Sequence, residues 1–168
     1  MFGITRGLVK EICALLDRGL CQGAGQIARG EMRVQQACNL AFGQSDRNDD
    51  PECVHEVLRR VGICLNDMRW SSDEMRGRAL KRFAIAQLGT RGNLNGSQVD
   101  KLSRKLSEMV SRRDMEAWNY APTSEDQVRL DHVKAEAAEE FVQMLIEMKT
   151  PGSEYLDLID EDENEKSI

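Results

Sequence analysis

The spacing of apolar residues constrains this chain more than any other feature. From Ile4 to Met148 they return every three or four positions, the period of one helix face. The clearest stripe is Val54, Val57, Leu58, Val61, Cys64, Leu65 and Met68. No pair of strands is apparent. The three prolines, Pro51, Pro122 and Pro151, all fall between stripes, where a residue lacking an N–H does least harm. An aromatic share of 5% suits a helical core better than a sandwich or barrel. The expectation is an all-α fold, a compact bundle of about six helices.

A first helix is expected near 4–20, burying Ile4, Leu8, Ile12, Leu15 and Leu16. A second, near 26–42, would bury Ile27, Val34, Cys38, Ala41 and Phe42. Gly30 is its weak point, at roughly 1 kcal/mol relative to Ala. Asp50-Pro51 reads as the N-cap and first residue of a third helix near 51–68. Ser71 and Glu74 have capping-box spacing for a fourth, which ends at Gly89 or Gly92. Ser97 and Asp100 open a fifth with the stripe Val99, Leu102, Leu106, Met109 and Val110, and residues 116–120 would extend it through Trp118 and Tyr120. Ser124 and Gln127 open a sixth near 125–149, burying Val128, Val133, Ala137, Phe141, Leu145 and Met148. A helical domain over 1–150 would then end at Pro151-Gly152. Residues 151–168 are rich in acids, repel themselves, and read as a disordered tail.

Charge divides the chain into three parts. Residues 1–68 carry −1, residues 69–113 carry +7 and residues 114–168 carry −12, against a total of −6. On the fourth helix Arg78 and Arg82 are one turn apart with Lys81 beside them. On the fifth, Lys101, Arg104 and Lys105 share a face. If these helices pair through the glycine-rich turn at 89–96, the cations Arg76, Arg78, Lys81, Arg82, Lys101, Arg104, Lys105, Arg112 and Arg113 merge into one patch. Such a patch is a footprint for a polyanion: RNA, ribonucleoprotein or an acidic membrane surface. Two other readings stay open. The charges can form an ordinary solvated face, or the acidic tail can lie on them and compete with an outside anion.

Arg76-Gly77, Arg82-Phe83, the glycine- and asparagine-rich turn, and then Lys101-Leu102-Ser103-Arg104-Lys105-Leu106 resemble the middle of the N-terminal domain of orthomyxovirus (influenza-type) matrix proteins. The resemblance covers about a quarter of the chain. It implies an all-helical, self-associating matrix protein, of viral origin and present in the virion, whose Arg104-Lys105 region contacts ribonucleoprotein or acidic lipid. The chain departs from that family in lacking its Cys/His motif and in being acidic after Tyr120.

Catalytic signals are sparse, and a non-enzymatic scaffold is expected. Glu136-x-x-Glu139 followed by Glu154-x-x-Asp157 fits the loose spacing of all-helical nucleotide pyrophosphatases of the MazG type, where four carboxylates hold Mg²⁺. The second pair follows Pro151-Gly152, and no lysine motif for phosphates comes after it. His132 and Glu136, one turn apart, resemble half of a carboxylate metal site but lack a partner motif. Cys53 and His55 are two residues apart on a helix and point apart. No cofactor is expected, and no metal, because the five cysteines include no CxxC pair. Those thiols read as reduced and buried, which suggests an intracellular protein, cytoplasmic or nuclear. The start shows no signal peptide, and no apolar run reaches membrane-spanning length. Tyr155-Leu156-Asp157-Leu158 has the YxxΦ form. Tyr155, Leu156, Leu158 and Ile159 are apolar enough either to dock on a protein partner or to fold back as a last helical turn. A protein-only adaptor acting through this tail is therefore the alternative to polyanion binding.

Overall fold

The computed structural model describes residues 3–23, 26, 29–44, 50–113 and 123–160, with the side chains of Arg112 and Arg113 left out. The expected anchors Trp118 and Tyr120, Ile27, Pro122 and the end of the tail lie outside the described residues. Among these residues there are six α-helices of eight residues or more, a C-terminal 3-10 turn and no strand. The helices are α1 (Arg6–Leu16), α2 (Val34–Ala41), α3 (Glu56–Asn66), α4 (Asp73–Ala86), α5 (Gly96–Arg113) and α6 (Ser124–Glu147); the turn spans Pro151–Tyr155. The all-α expectation holds.

Helix α4 is the axis of the molecule. It packs against α1, α2, α3, α6 and the C-terminal turn. Phe83, Ala84, Ile85 and Ala86 are consecutive and fully buried, so the end of α4 is surrounded on every side. The Phe83 ring meets Phe141 of α6 edge-on, with centroids 6.4 Å apart and planes at 77°. Gly77 lets α1 approach, since a Cβ there would lie 2.2 Å from the carbonyl oxygen of Leu16. Helix α5 lies outside this centre, against α3 and along one side of α6.

Several helix starts differ from expectation because side chains elsewhere claim the backbone. The second helix begins at Val34, not near 26, and Gly30 takes a φ of +77° that breaks the path. The third begins at Glu56, with His55 Nδ1 as the cap acceptor for the Val57 amide. Its expected first turn is diverted: the Arg91 amide and guanidinium donate to the carbonyls of Cys53 and Val54, and Thr90 Oγ1 accepts the His55 amide. In α4 the N-cap is Ser72, whose Oγ accepts from the Met75 amide, while the Ser71 amide donates to Asp131. Asn95 and Gln98 exchange reciprocal side-chain bonds at the start of α5, and Thr123 caps α6.

The ordered chain continues past Pro151-Gly152, where the sequence suggests the start of a disordered tail. Leu156 and Ile159 are 4% and 1% exposed. The Gly152 amide donates to the Leu88 carbonyl, and Thr150 Oγ1 donates to the Ala86 carbonyl. Tyr155 OH donates to the Ile4 carbonyl at 2.9 Å, and Asp160 pairs with Arg82. The apolar residues of this segment gain more from joining the core than its acids lose by approaching one another.

Candidate interaction surface

Of the nine cations expected to form one patch, the seven whose side chains are described do not gather on one face. Arg76 and Lys81 are each 3% exposed. Arg76 donates to the Leu20 carbonyl and pairs with Asp73 at 2.6 Å, and Lys81 pairs at 2.5 Å with Asp17, which follows the last residue of α1. Arg82 bridges α6 and the C-terminal segment, 3.2 Å from Glu139 and 2.5 Å from Asp160. Burial works against its charge, but these two carboxylates outweigh it and raise the guanidinium above its ordinary value. Lys101 and Lys105 reach across to α6, to Glu147 at 3.0 Å and Glu140 at 2.6 Å. Arg78 and Arg104 are exposed, with no carboxylate partner among the described residues. The side chains of Arg112 and Arg113 lie outside the description. The expected hairpin is absent because α5 rests on α3 and α6 and makes at most marginal contact with α4.

Between α5 and α6 runs an open groove of about 580 Å³, lined by Lys101, Arg104, Lys105 and Glu108 on one side and Glu140, Gln143, Met144 and Glu147 on the other. The helices are antiparallel, since Lys101 lies opposite Glu147 and Lys105 opposite Glu140. Three cations and three carboxylates make the lining neutral.

No protein-family model matches the chain, and no curated protein or solved structure matches it.

Tyr155, Leu156, Leu158 and Ile159 do not form an open docking peptide. Leu156 and Ile159 are interior, and Tyr155 and Leu158 pack against the core. Three of the four carboxylates with pyrophosphatase spacing are engaged separately. Glu139 holds Arg82 and accepts from Gln143, Glu136 lies 3.2 Å from His132, and the Pro151–Tyr155 turn carries Glu154 to a cavity beside Arg91 and Gly3. Among the described residues no three His, Cys, Asp or Glu side chains are placed to hold a metal ion. Cys13, Cys38 and Cys53 are buried thiols, and burial raises Cys38 and Cys53 above the ordinary thiol value. No helix among the described residues is long and apolar enough to cross a membrane.

Sequence reasoning missed a buried polar cluster at the start of α6. Asp131 and Lys134 are 2% and 0% exposed, while Val128, expected inside, is 68% exposed. Lys134 Nζ donates to the Arg69 carbonyl, lies 3.7 Å from Asp131 and sits 5.6 Å from the Trp70 ring centroid. Both Asp131 oxygens accept from the Ser71 amide, at 3.2 and 3.1 Å. The signal available in the sequence was an Asp and a Lys three apart on a helix, too common to single out.

Proposed function

We propose that this chain is a non-catalytic helical binding protein that works through the α5–α6 groove and takes a protein surface there rather than a polyanion. The observation that carries this reading is the neutral lining, with a row of cations on α5 facing a row of carboxylates on α6. A phosphate backbone in the groove meets three carboxylates along with three cations and gains little from counterion release. A protein surface offering acids to α5 and bases to α6 satisfies both walls. The test is fluorescence anisotropy with labelled single-stranded RNA, alongside co-sedimentation with phosphatidylserine vesicles, at low and physiological salt. The expected result is no steeply salt-dependent binding to either. Micromolar binding that is lost in Arg104→Glu overturns the reading.

Polyanion binding by a scaffold of the matrix type is the second reading. It is favoured by the exposed Arg78 and Arg104, which lack carboxylate partners among the described residues, and by the run of α5 on to Arg112 and Arg113. The same titrations decide between the two.

A further inference from the structure

The α5–α6 face has a property that most charged surfaces lack: it is complementary to itself. Its cations, Lys101 and Lys105, lie along one helix, and its anions, Glu140 and Glu147, lie along the other. The two ion pairs match each lysine to a glutamate at the same height along the groove. Consider a second copy placed face to face by a two-fold axis running down the groove midline. This operation keeps height along the groove and exchanges its two sides. Each lysine of one copy therefore falls opposite the matching glutamate of the other without any shift in register. The alternative axis, across the groove, sets lysine over lysine and glutamate over glutamate, which like-charge repulsion opposes.

We infer that the occupant of this groove is a second copy of the chain, in an isologous dimer whose axis follows the groove. This rests on the reading of the groove as a protein-binding surface. The Lys101–Glu147 pair is exposed, at 53% and 67%, and exchanges for intermolecular pairs at little cost; in the second pair Glu140 is 49% exposed and Lys105, at 24%, is half-buried. Gln143 and Met144, between the glutamates on the α6 side, give the dimer an uncharged strip to cover. Arg104, which has no carboxylate partner among the described residues, faces the α6 row of the second copy and gains one. Glu108 is the one lining group of the wrong sign on its row, and it lies towards the end of α5.

The test uses two charge-swapped proteins and analytical ultracentrifugation. Lys101→Glu/Lys105→Glu makes the groove acidic on both sides; Glu140→Lys/Glu147→Lys makes it basic on both sides. The expected result is a concentration-dependent monomer–dimer equilibrium for the parent and monomers for each variant alone. Mixing the variants in equal amounts should restore a dimer that weakens as salt rises. A zero-length carbodiimide cross-link on a mixture of ¹⁴N and ¹⁵N parent protein needs no substitution, and it should give mixed-isotope Lys105–Glu140 and Lys101–Glu147 peptides. A parent that stays monomeric at every concentration, or cross-links that are always of a single isotope, overturns the dimer. A monomer that also ignores RNA and vesicles leaves the groove reading standing; RNA binding lost in Arg104→Glu removes both.

Discussion

Asp131→Asn should be among the most damaging single-atom changes in this protein. Asp131 and Lys134 are both interior, and the lysine ammonium is held by one carbonyl, one carboxylate and the face of Trp70. Removing the carboxylate charge leaves a buried cation without its counterion, which costs about 3–5 kcal/mol. The asparagine oxygen can still accept from the Ser71 amide, so the lower end, about 3 kcal/mol, is expected. For a chain of this length each kcal/mol lowers Tm by about 2–4 °C, giving a fall of about 6–12 °C at neutral pH. Circular-dichroism melts and urea titrations measure this directly. Lys134→Met should be milder, about 1–2 kcal/mol, because methionine keeps the contact with Trp70 and Asp131 keeps its bonds from Ser71 and Gln127. A Tm for Asp131→Asn within about 2 °C of the parent, or a Lys134→Met protein less stable than Asp131→Asn, refutes the reasoning.

The pH dependence adds a sign. Burial lowers the Lys134 amine below its ordinary value of 10.5; Asp131 opposes this, and Arg69 and Arg76 add to it. Below the lowered value the folded and unfolded chains both hold the proton, so the cost of burying the charge is present in full. As pH rises past the lowered value the folded chain releases the proton first. The unfolded chain then binds more protons, and stability rises with pH until 10.5 is reached. The parent should therefore gain on Lys134→Met in that window; a difference that does not change with pH contradicts the assignment.

Two further outcomes test the fold. Compared with a chain ended after Asp160, one ended after Thr150 lacks Leu156 and Ile159 in its core. Each of those side chains contributes about 1.5–3 kcal/mol, so the shorter protein should melt far lower or fail to fold; equal melting of the two would return 151–160 to the role of a loose tail. Iodoacetamide at pH 8 should label the half-buried Cys64 well before Cys38, whose thiol is fully buried and raised, and mass spectrometry showing early Cys38 labelling would mean that α2 opens readily.

The fold class was legible because period and punctuation agree: the stripe from Val57 to Leu65 is buried as its spacing implies, and Pro51 and Pro151 lie outside the α-helices. Helix starts were less legible. His55, Ser72 and Thr123 cap where Asp50, Ser71 and Ser124 had the right chemistry, and at the first two of these starts distant groups bind the backbone just ahead of the helix. Thr90 and Arg91 hold the 53–55 backbone, and Asp131 holds Ser71. The face of α6 was misjudged for a related reason. Hydrophobic periodicity has no means of placing Lys134 inside, since besides Asp131 it is Trp70 and the Arg69 carbonyl, more than sixty residues away in the chain, that make that position tolerable.

The charge pattern shows the same limit. A segment of +7 is a surface for an anion only to the extent that its neighbours in space leave its charges unanswered. Here the last helix supplies the anion, with Glu139, Glu140 and Glu147 meeting Arg82, Lys105 and Lys101, while Asp17 and Asp73 take Lys81 and Arg76. Much of the positive middle is thus answered by carboxylates of the same chain, most of them from its negative final third. Of these, the solvent-facing pairs Lys101–Glu147 and Lys105–Glu140 contribute about 0–1 kcal/mol each, too little to hold the fold together, which rests on the core around Phe83 and Phe141. The same weakness makes them exchangeable. Lys101 and Lys105 can trade one carboxylate for another across an interface, whereas Lys134, closed in with Asp131, cannot. The proposed interface therefore falls on the exchangeable pairs of the groove, and the buried pair serves stability alone.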